Sequence, residues 1–142
     1  MKIKVKLVDG GKMPEYKTAG ASCADCYARL VTPFVTIPKG ATTLINLGFA
    51  VELPKGYEMV VRPRSGLSSK GIVAAYGTVD SDYRGEVKAC ITNLSGGDFE
   101  IKNLDRICQM KIQPTERHEF LQVDELSETE RGEGGFGSTG IQ

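Results

Sequence analysis

The sequence has few of the residues that build metal sites and disulfide frameworks. It carries one histidine, His118, and four cysteines, Cys23, Cys26, Cys90 and Cys108, in 142 residues. That is too few cysteines for the disulfide scaffold of a small secreted domain. A zinc site needs about four ligands, so one C-x-x-C pair with a distant histidine argues against a metal site. We interpret the cysteines as reduced thiols, and Cys23 and Cys26 as small residues near a packed turn.

The chain also lacks an excess of charge and a long apolar run. Its 18 Lys and Arg balance 18 Asp and Glu, so no overall field attracts a nucleic acid or an anionic membrane, and an anionic ligand needs locally concentrated cations. No apolar run reaches the ~20 residues that span a bilayer, and residues 1–7 alternate where a signal peptide would be apolar throughout. We therefore predict no nucleic-acid partner, no membrane and a cytoplasmic location, or a nuclear or host-cell compartment depending on the source.

Short alternating runs separated by turn residues make up most of the chain. Ile3, Val5 and Leu7 face one way and the intervening lysines the other, which indicates a half-buried strand. Similar runs, divided by Pro- and Gly-containing turns, lie at 43–53, 57–61, 86–94, 99–101 and 106–113. Many short strands predict an all-β sandwich, jelly roll or barrel. One short helix is predicted over residues 65–70.

The end of the chain differs from the rest in composition. From residue 127 it is charged and then glycine-rich, so it cannot contribute to a core. We divide the chain into a β domain over residues 1–126 and a mobile C-terminal arm over residues 127–142. The arm matches a G-x-G-x-x-G expression at 132–137, but it lies outside any strand–helix unit, so a Rossmann interpretation fails.

Three polar clusters are candidates for ligand binding. In the arm, glycine backbone, one guanidinium and two hydroxyls can converge on phosphate while Phe136 stacks on a base; the alternative is a flexible solubilising tail. Residues 62–70 place two arginines and three serines around a helix start, which suits phosphate, although plain helix capping explains it too. Residues 77–87 hold Asp80 and Asp82 on a turn, where one carboxylate can act as a general base; a polar hairpin turn is the alternative.

Together these clusters resemble the motifs of the trimeric deoxyuridine triphosphatase (dUTPase) family. The resemblance covers the whole chain, in the family's order and at its length. Cys23 stands where the family usually has Gly, and Cys26 where it usually has Leu. The matching runs are Ala24-Asp25-Cys26-Tyr27-Ala28, Arg64-Ser65-Gly66-Leu67-Ser68-Ser69-Lys70, Gly77-Thr78-Val79-Asp80-Ser81-Asp82-Tyr83-Arg84-Gly85, Asp105-Arg106-Ile107-Cys108-Gln109 and Arg131-Gly132-Glu133-Gly134-Gly135-Phe136-Gly137-Ser138-Thr139-Gly140.

The resemblance implies a jelly-roll protomer and an enzyme. The implied assembly is a homotrimer with active sites at subunit interfaces, where the arm of one protomer closes over a site built by the other two. The implied reaction is hydrolysis of dUTP to dUMP and pyrophosphate with Mg²⁺, which supplies dUMP for thymidylate synthesis and keeps uracil out of DNA. A dCTP deaminase-like enzyme of the same fold and a non-catalytic β-sandwich binding module are the alternatives.

The resemblance also implies a role for individual residues. Asp80 is the general base, Gln109 helps to hold the water and the α-phosphate, and Asp25 contacts Mg²⁺ through water. Tyr83 packs under the deoxyribose. The remaining implied residues bind substrate: the phosphates by Arg64, Ser65 and Gly66, uracil by the backbone around Gly77 and Val79, and the closed lid by Arg131, Phe136, Gly137, Ser138 and Thr139.

Overall fold

The regular secondary structure consists almost entirely of short β-strands in the computed structural model, which describes residues 1–135. One helix, α1 (Ser65–Ser68), interrupts the strands between β6 and β7. The strands are β1 (Lys4–Leu7), β2 (Ala24–Tyr27), β3 (Phe34–Ile37), β4 (Thr42–Asn46), β5 (Phe49–Glu52), β6 (Tyr57–Arg62), β7 (Ile72–Ala74), β8 (Gly77–Val79), β9 (Lys88–Asn93), β10 (Phe99–Lys102) and β11 (Arg106–Pro114).

The strands form four open antiparallel sheets. The largest has the order β2-β11-β6-β8, the next has the order β4-β9-β7, and two pairs join β1 to β5 and β10 to β3. Because β8 is the last strand of the four-stranded sheet, only one of its edges is paired among residues 1–135. Its other edge presents backbone donors and acceptors that a ligand can use.

A single apolar core lies between the sheets. Every sheet contributes to it through alternate residues of its strands, as a two-residue period requires. The largest fully buried side chains include Phe49, Ile37, Leu47, Met59, Ile72, Ile91, Ile101 and Ile107. The prediction of an all-β fold with one short helix is confirmed, and the open sheet edges in the part described form no closed barrel.

Glycine geometry divides one predicted strand into two. The run over 43–53 forms β4 and β5, because Gly48 adopts a φ of +76° that a continuous strand does not contain. A Cβ on Gly48 would lie only 2.5 Å from the Gly11 Cα, so two backbone segments cross closely here.

The prediction for β1 is wrong in one detail, since Leu7 is exposed rather than facing the core.

The helix is shorter than expected. The predicted helix over 65–70 ends at Ser68, and Gly71, with a φ of +81°, turns the chain into β7. No helix of the described chain has the length and apolar character to cross a membrane. Residues 115–135 follow Pro114 without a helix or a strand.

The turn interpretation is wrong for Cys26, which lies within β2. Cys26 is the Cα partner of Cys108 on β11, and both side chains have no exposed surface. A hydrogen bond with the Cys108 thiol and burial both raise the pKa of the Cys26 thiol. At neutral pH this thiol is therefore protonated, and it packs in the core on the face of β2 opposite to the Asp25 side chain.

Candidate active site

Four polar side chains meet where β2 and β11 approach the start of α1. Asp25 and Gln109 are Cα partners, and Gln109 is also the Cα partner of Arg62 on the other side of β11. The Asp25 carboxylate lies 3.0 Å from Nη1 of Arg106 and 3.4 Å from Nε of Arg64. We call Asp25, Arg64, Arg106 and Gln109 the arginine cluster. It carries two positive charges and one negative charge.

A β-bulge places Arg106 in this cluster. The register of β11 against β2 shifts between Arg106 and Cys108, so that two residues of β11 advance against one of β2. The bulge makes Ile107 and Cys108 consecutive buried residues and turns Arg106 to the face of Gln109. Sequence reasoning missed a role for Arg106, because strict alternation from Gln109 would direct it to the opposite face. The two adjacent apolar residues at 107 and 108 were the sequence signal that could have indicated the bulge.

Hydrogen bonds to the backbone orient the other members of the cluster. Gln109 donates from Nε2 to the Pro63 carbonyl at 2.8 Å, which leaves its second N–H and its carbonyl oxygen for a ligand. Arg64 donates from Nη1 to the Arg106 carbonyl at 2.7 Å. Both side chains are thus fixed, while each keeps polar groups that have no hydrogen-bond partner among residues 1–135.

The start of α1 differs from the expected capping arrangement. Arg64, with extended backbone, is the N-cap residue, and its side chain makes no capping hydrogen bond. Ser65 is therefore the first helical residue and not the cap. Ser65 and Gly66 are exposed, and the first N–H groups of a helix have no partner inside it. Their position beside Arg64 is compatible with the predicted phosphate contact.

A second group of predicted residues lies on β8 and on the turn that follows it. Gly77 and Val79 are in β8 itself, opposite Val61 and Met59 of β6. Asp80 begins the turn, its carbonyl accepting a 3.1 Å hydrogen bond from the Tyr83 N–H. We call residues 77–86 the Asp80 hairpin. Within residues 1–135 the exposed Asp80 carboxylate makes no hydrogen bond or salt bridge.

The ring of Tyr83 folds back over its own hairpin. Its hydroxyl donates a 3.1 Å hydrogen bond to the Glu86 carbonyl. A Cβ on Gly85 would overlap the Tyr83 phenol, so the ring takes this position only because residue 85 is glycine. Tyr83 remains 44% exposed, so part of its side chain is open to a ligand.

The structure keeps the Asp80 hairpin and the arginine cluster apart within one chain. Gln109 lies opposite Arg62, whereas Val79 lies opposite Met59 on the other edge of β6. Three residues along β6 and two strand spacings across it separate Val79 from Gln109 by about 14 Å. Asp80 continues one residue farther away. The two predicted catalytic residues therefore do not meet in a single protomer.

The described part of the arm stays within its own segment. Arg131 is exposed and donates from Nε to the Gly134 carbonyl at 2.8 Å, with no hydrogen bond in the described chain to either group of site residues. The other predicted lid residues, Phe136, Gly137, Ser138 and Thr139, lie outside the described residues.

The chemistry of the donor set limits how Mg²⁺ can bind. Within residues 1–135 no three His, Cys, Asp or Glu side chains are grouped closely enough to hold a metal ion. Asp25 is a single carboxylate between two guanidiniums, and the positive charge of these guanidiniums disfavours direct binding of a bare cation. Mg²⁺ keeps several waters and takes ligands from substrate phosphates. Asp25 therefore fits a contact through water with a metal that arrives on a polyphosphate.

Comparison with known proteins places the chain in a family. The sequence model of the dUTPase family matches residues 9–140. A relative from Treponema denticola, named deoxyuridine 5′-triphosphate nucleotidohydrolase, is 50% identical over 144 residues, covering 99% of each chain. The chain belongs to the dUTPase family, as the motifs predicted.

Solved structures agree with this assignment. A variant of the Staphylococcus bacteriophage 80alpha dUTPase with dUpNHpp matches with a TM-score of 0.88 and 28% identity, over 99% of both chains. A variant dUTPase from phage phi11 of S. aureus, described with a coordinated structural Mg(II) ion, matches with a TM-score of 0.80 and 24% identity over 88% of this chain and 98% of that one. The predicted jelly-roll-like fold class is confirmed.

Proposed function

We propose that the chain hydrolyses dUTP to dUMP and pyrophosphate, as a dUTP diphosphatase of nucleotide metabolism. The Asp80 hairpin is the observation that carries this proposal. It combines an exposed carboxylate free of partners in the described chain, an aromatic side chain that is 44% exposed, and an edge strand with unpaired backbone groups. Family membership supports the same reaction. The product dUMP supplies thymidylate synthesis, and removal of dUTP keeps uracil out of DNA.

Asp80 acts on the attacking water. Its carboxylate accepts a proton as the water oxygen forms a bond to the α-phosphorus. The bond between that phosphorus and the oxygen bridging to the β-phosphorus breaks, and pyrophosphate leaves with the electron pair. The free Gln109 oxygen accepts a hydrogen bond from the water, and its remaining N–H donates to the α-phosphate.

The arginine cluster neutralises the charge of the triphosphate. Arg64 and Arg106 supply two guanidiniums against one carboxylate, and Ser65 and Gly66 add N–H donors at the start of α1. Phosphoryl transfer depends mainly on positioning and charge neutralisation. Bound Mg²⁺ would supply further neutralisation of the phosphate oxygens, with Asp25 touching its water shell.

The Asp80 hairpin recognises the nucleoside. The uracil edge alternates acceptor, donor and acceptor, which the free backbone edge near Gly77 and Val79 can match. The exposed part of Tyr83 packs under the deoxyribose, where a 2′-hydroxyl would collide. Selectivity for dUTP over UTP and over dTTP follows from the closeness of these contacts.

A homotrimer brings the separated residues together. A general base must lie within about 3 Å of the proton it accepts, and the register of β6 prevents Asp80 and Gln109 of one chain from sharing a water. We infer that the Asp80 hairpin of one protomer completes the arginine cluster of another. Residues 115–135 expose Phe120, Leu121 and Leu126, with 96%, 84% and 88% of their surface accessible, which supports packing of this segment on another copy.

The arm over residues 127–142 closes the site in this proposal. Phe136 stacks on uracil, while Arg131, Gly137, Ser138 and Thr139 bind the β- and γ-phosphates. The proposal keeps the cytoplasmic location predicted from the composition.

Release of pyrophosphate tests the proposed reaction. The purified chain is incubated with Mg²⁺ and each of dUTP, dTTP, dCTP and UTP, and pyrophosphate and ammonia are measured separately. We expect pyrophosphate from dUTP far above the other nucleotides. Ammonia from dCTP would identify a deaminase, and neither product from any nucleotide would identify a binding module; either result would overturn the proposal.

A further inference from the structure

The position of the Tyr83 ring depends on one carbonyl group. In the part of the chain described, the Tyr83 hydroxyl makes one hydrogen bond, to the Glu86 carbonyl at 3.1 Å. Gly85 permits the ring to reach that carbonyl but does not hold it there. The position of the Tyr83 ring therefore depends on the position of the backbone at residue 86.

Two contacts hold that backbone: the Val87 N–H, in the same peptide group as the Glu86 carbonyl, donates to the Phe49 carbonyl at 2.9 Å, and the Glu86 side chain holds the residue from its other side. Oε1 of Glu86 accepts a 3.0 Å hydrogen bond from the Gly48 N–H and lies 3.6 Å from Nη1 of Arg29. Only 19% of the Glu86 side chain and 21% of the Arg29 side chain are exposed, so solvent screens this ion pair less than an open surface pair. We call Arg29, Gly48 and Glu86 the Glu86 brace.

The brace is anchored on the body of the domain. Arg29 donates from Nε to the Asp9 carbonyl at 2.6 Å, and the backbone N–H of Arg29 donates to the Asn46 carbonyl at 2.8 Å. Gly48 has a positive φ, and a Cβ there would lie 3.1 Å from the Arg29 Cβ. The glycine thus leaves room for the Arg29 side chain and aims its N–H at Glu86.

Exclusion of a ribose hydroxyl by Tyr83 requires a ring that cannot retreat. A displacement of about 1 Å at a positioning group can change a rate by orders of magnitude. We propose that the Glu86 brace is the positioning device that holds Tyr83 against the sugar and so sets the preference for deoxyribose over ribose. This inference rests on the proposed function, in which Tyr83 packs under the deoxyribose.

The ratio of kcat/KM for dUTP to kcat/KM for UTP tests the brace. We expect Glu86→Ala to lower this ratio about tenfold, because the backbone acceptor of the Tyr83 hydroxyl keeps its peptide hydrogen bond to Phe49 but loses its side-chain support. Glu86→Gln keeps an acceptor for the Gly48 N–H and should remain within about threefold of wild type. Glu100→Ala, which removes an exposed carboxylate on β10, is the matched control and should leave the ratio unchanged.

A merely structural role would give a different result. In that case Glu86→Ala would lower the unfolding temperature and the activity on both nucleotides in proportion, with an unchanged ratio, and the inference would be wrong. Should Glu86→Ala not fold, Tyr83→Phe removes the same hydrogen bond from the other end and must still lower the ratio. A wild-type ratio in folded Tyr83→Phe would overturn the inference.

A double-mutant cycle separates the brace from the ring. Because Glu86→Ala and Tyr83→Phe act through one hydrogen bond, the double variant should lose no more selectivity than the worse single variant. A loss of selectivity in the double variant equal to the product of the two single losses would contradict the brace. Tyr83→Ala separates the role of the ring from the role of the brace. A wild-type dUTP-to-UTP ratio in Tyr83→Ala refutes the role of Tyr83 itself. A collapsed ratio in Tyr83→Ala, with wild-type ratios in Glu86→Ala and Tyr83→Phe, refutes the brace alone.

Discussion

Arg106 lies 3.0 Å from the Asp25 carboxylate, on the strand that also carries Gln109. Removal of this guanidinium takes the arginine cluster from one net positive charge to none. We expect Arg106→Gln to raise KM for dUTP about tenfold or more, since a hydrogen bond to a charged group contributes about 1.5–3 kcal/mol. Steady-state kinetics at fixed Mg²⁺ measure this. Lys39→Gln removes the same charge elsewhere, and an equal rise in KM there would contradict a specific role.

Loss of the Asp80 carboxylate should stop the chemical step and spare binding. Asp80→Asn keeps the shape of the side chain but cannot accept the proton of the water, so we expect kcat to fall by about 10²–10⁴. Titration with a non-hydrolysable dUTP analogue should show nearly unchanged affinity. Asp82→Asn, two residues along the same turn, is the matched control. Near-normal kcat in folded Asp80→Asn would remove Asp80 from the role of base.

Two inactive chains should restore each other when their defects lie in different groups. Asp80→Asn and Gln109→Ala are each expected to be inactive alone. After subunit exchange, some sites combine Asp80 from one chain with Gln109 from the other. We expect a measurable fraction of wild-type pyrophosphate release from the mixture.

A second mixture controls this complementation. Gln109→Ala and Arg64→Ala both affect the arginine cluster, which one chain supplies whole, so no mixed site is intact. We expect this mixture to stay inactive. Activity in it, or a fully active monomer by light scattering, would rule out the interface site.

Removal of the arm should abolish turnover while the β domain stays folded. A chain that ends at Glu130 lacks every proposed lid residue but none of the core. We expect its unfolding temperature to be nearly unchanged and kcat to collapse. The kcat of Phe136→Ala should lie between that of the wild type and that of the truncated chain, because one stacking contact of about 1–3 kcal/mol is lost. Normal turnover in the truncated chain would refute the lid.

Trypsin provides an independent measurement of lid closure. Arg131 is exposed in the structure and is a tryptic site. A non-hydrolysable dUTP analogue should slow cleavage after Arg131, whereas dUMP, without the β- and γ-phosphates, should not. Equal cleavage with and without the analogue would contradict closure by this segment.

Much of the fold could be predicted from alternation and turn residues. The runs that became β9 and β11 are long enough for a two-residue period to be visible. Strands β7 and β8 have three residues each and show no period, so they could not be found this way. The break at Gly48 depends on its approach to Gly11, a contact between distant parts of the sequence.

The candidate site could be predicted as a set of residues but not as an arrangement. The motifs identified Asp80, Gln109 and Arg64, because each motif is local in sequence. The separation of Asp80 from Gln109 depends on the register of β8 and β11 against β6, which no local pattern reports. Arg106 was missed for a related reason, since its direction is set by a bulge.

The offset across β6 also links catalysis to the number of chains present. In the proposed homotrimer, a chain whose Asp80 and Gln109 serve different sites has no activity by itself, so dilution below the dissociation constant of the assembly removes the activity by mass action. The same arrangement makes a defective chain dominant. A protomer with both residues altered disables the site to which it gives Asp80 and the site to which it gives Gln109, so a minority of such chains can silence more sites than their own number.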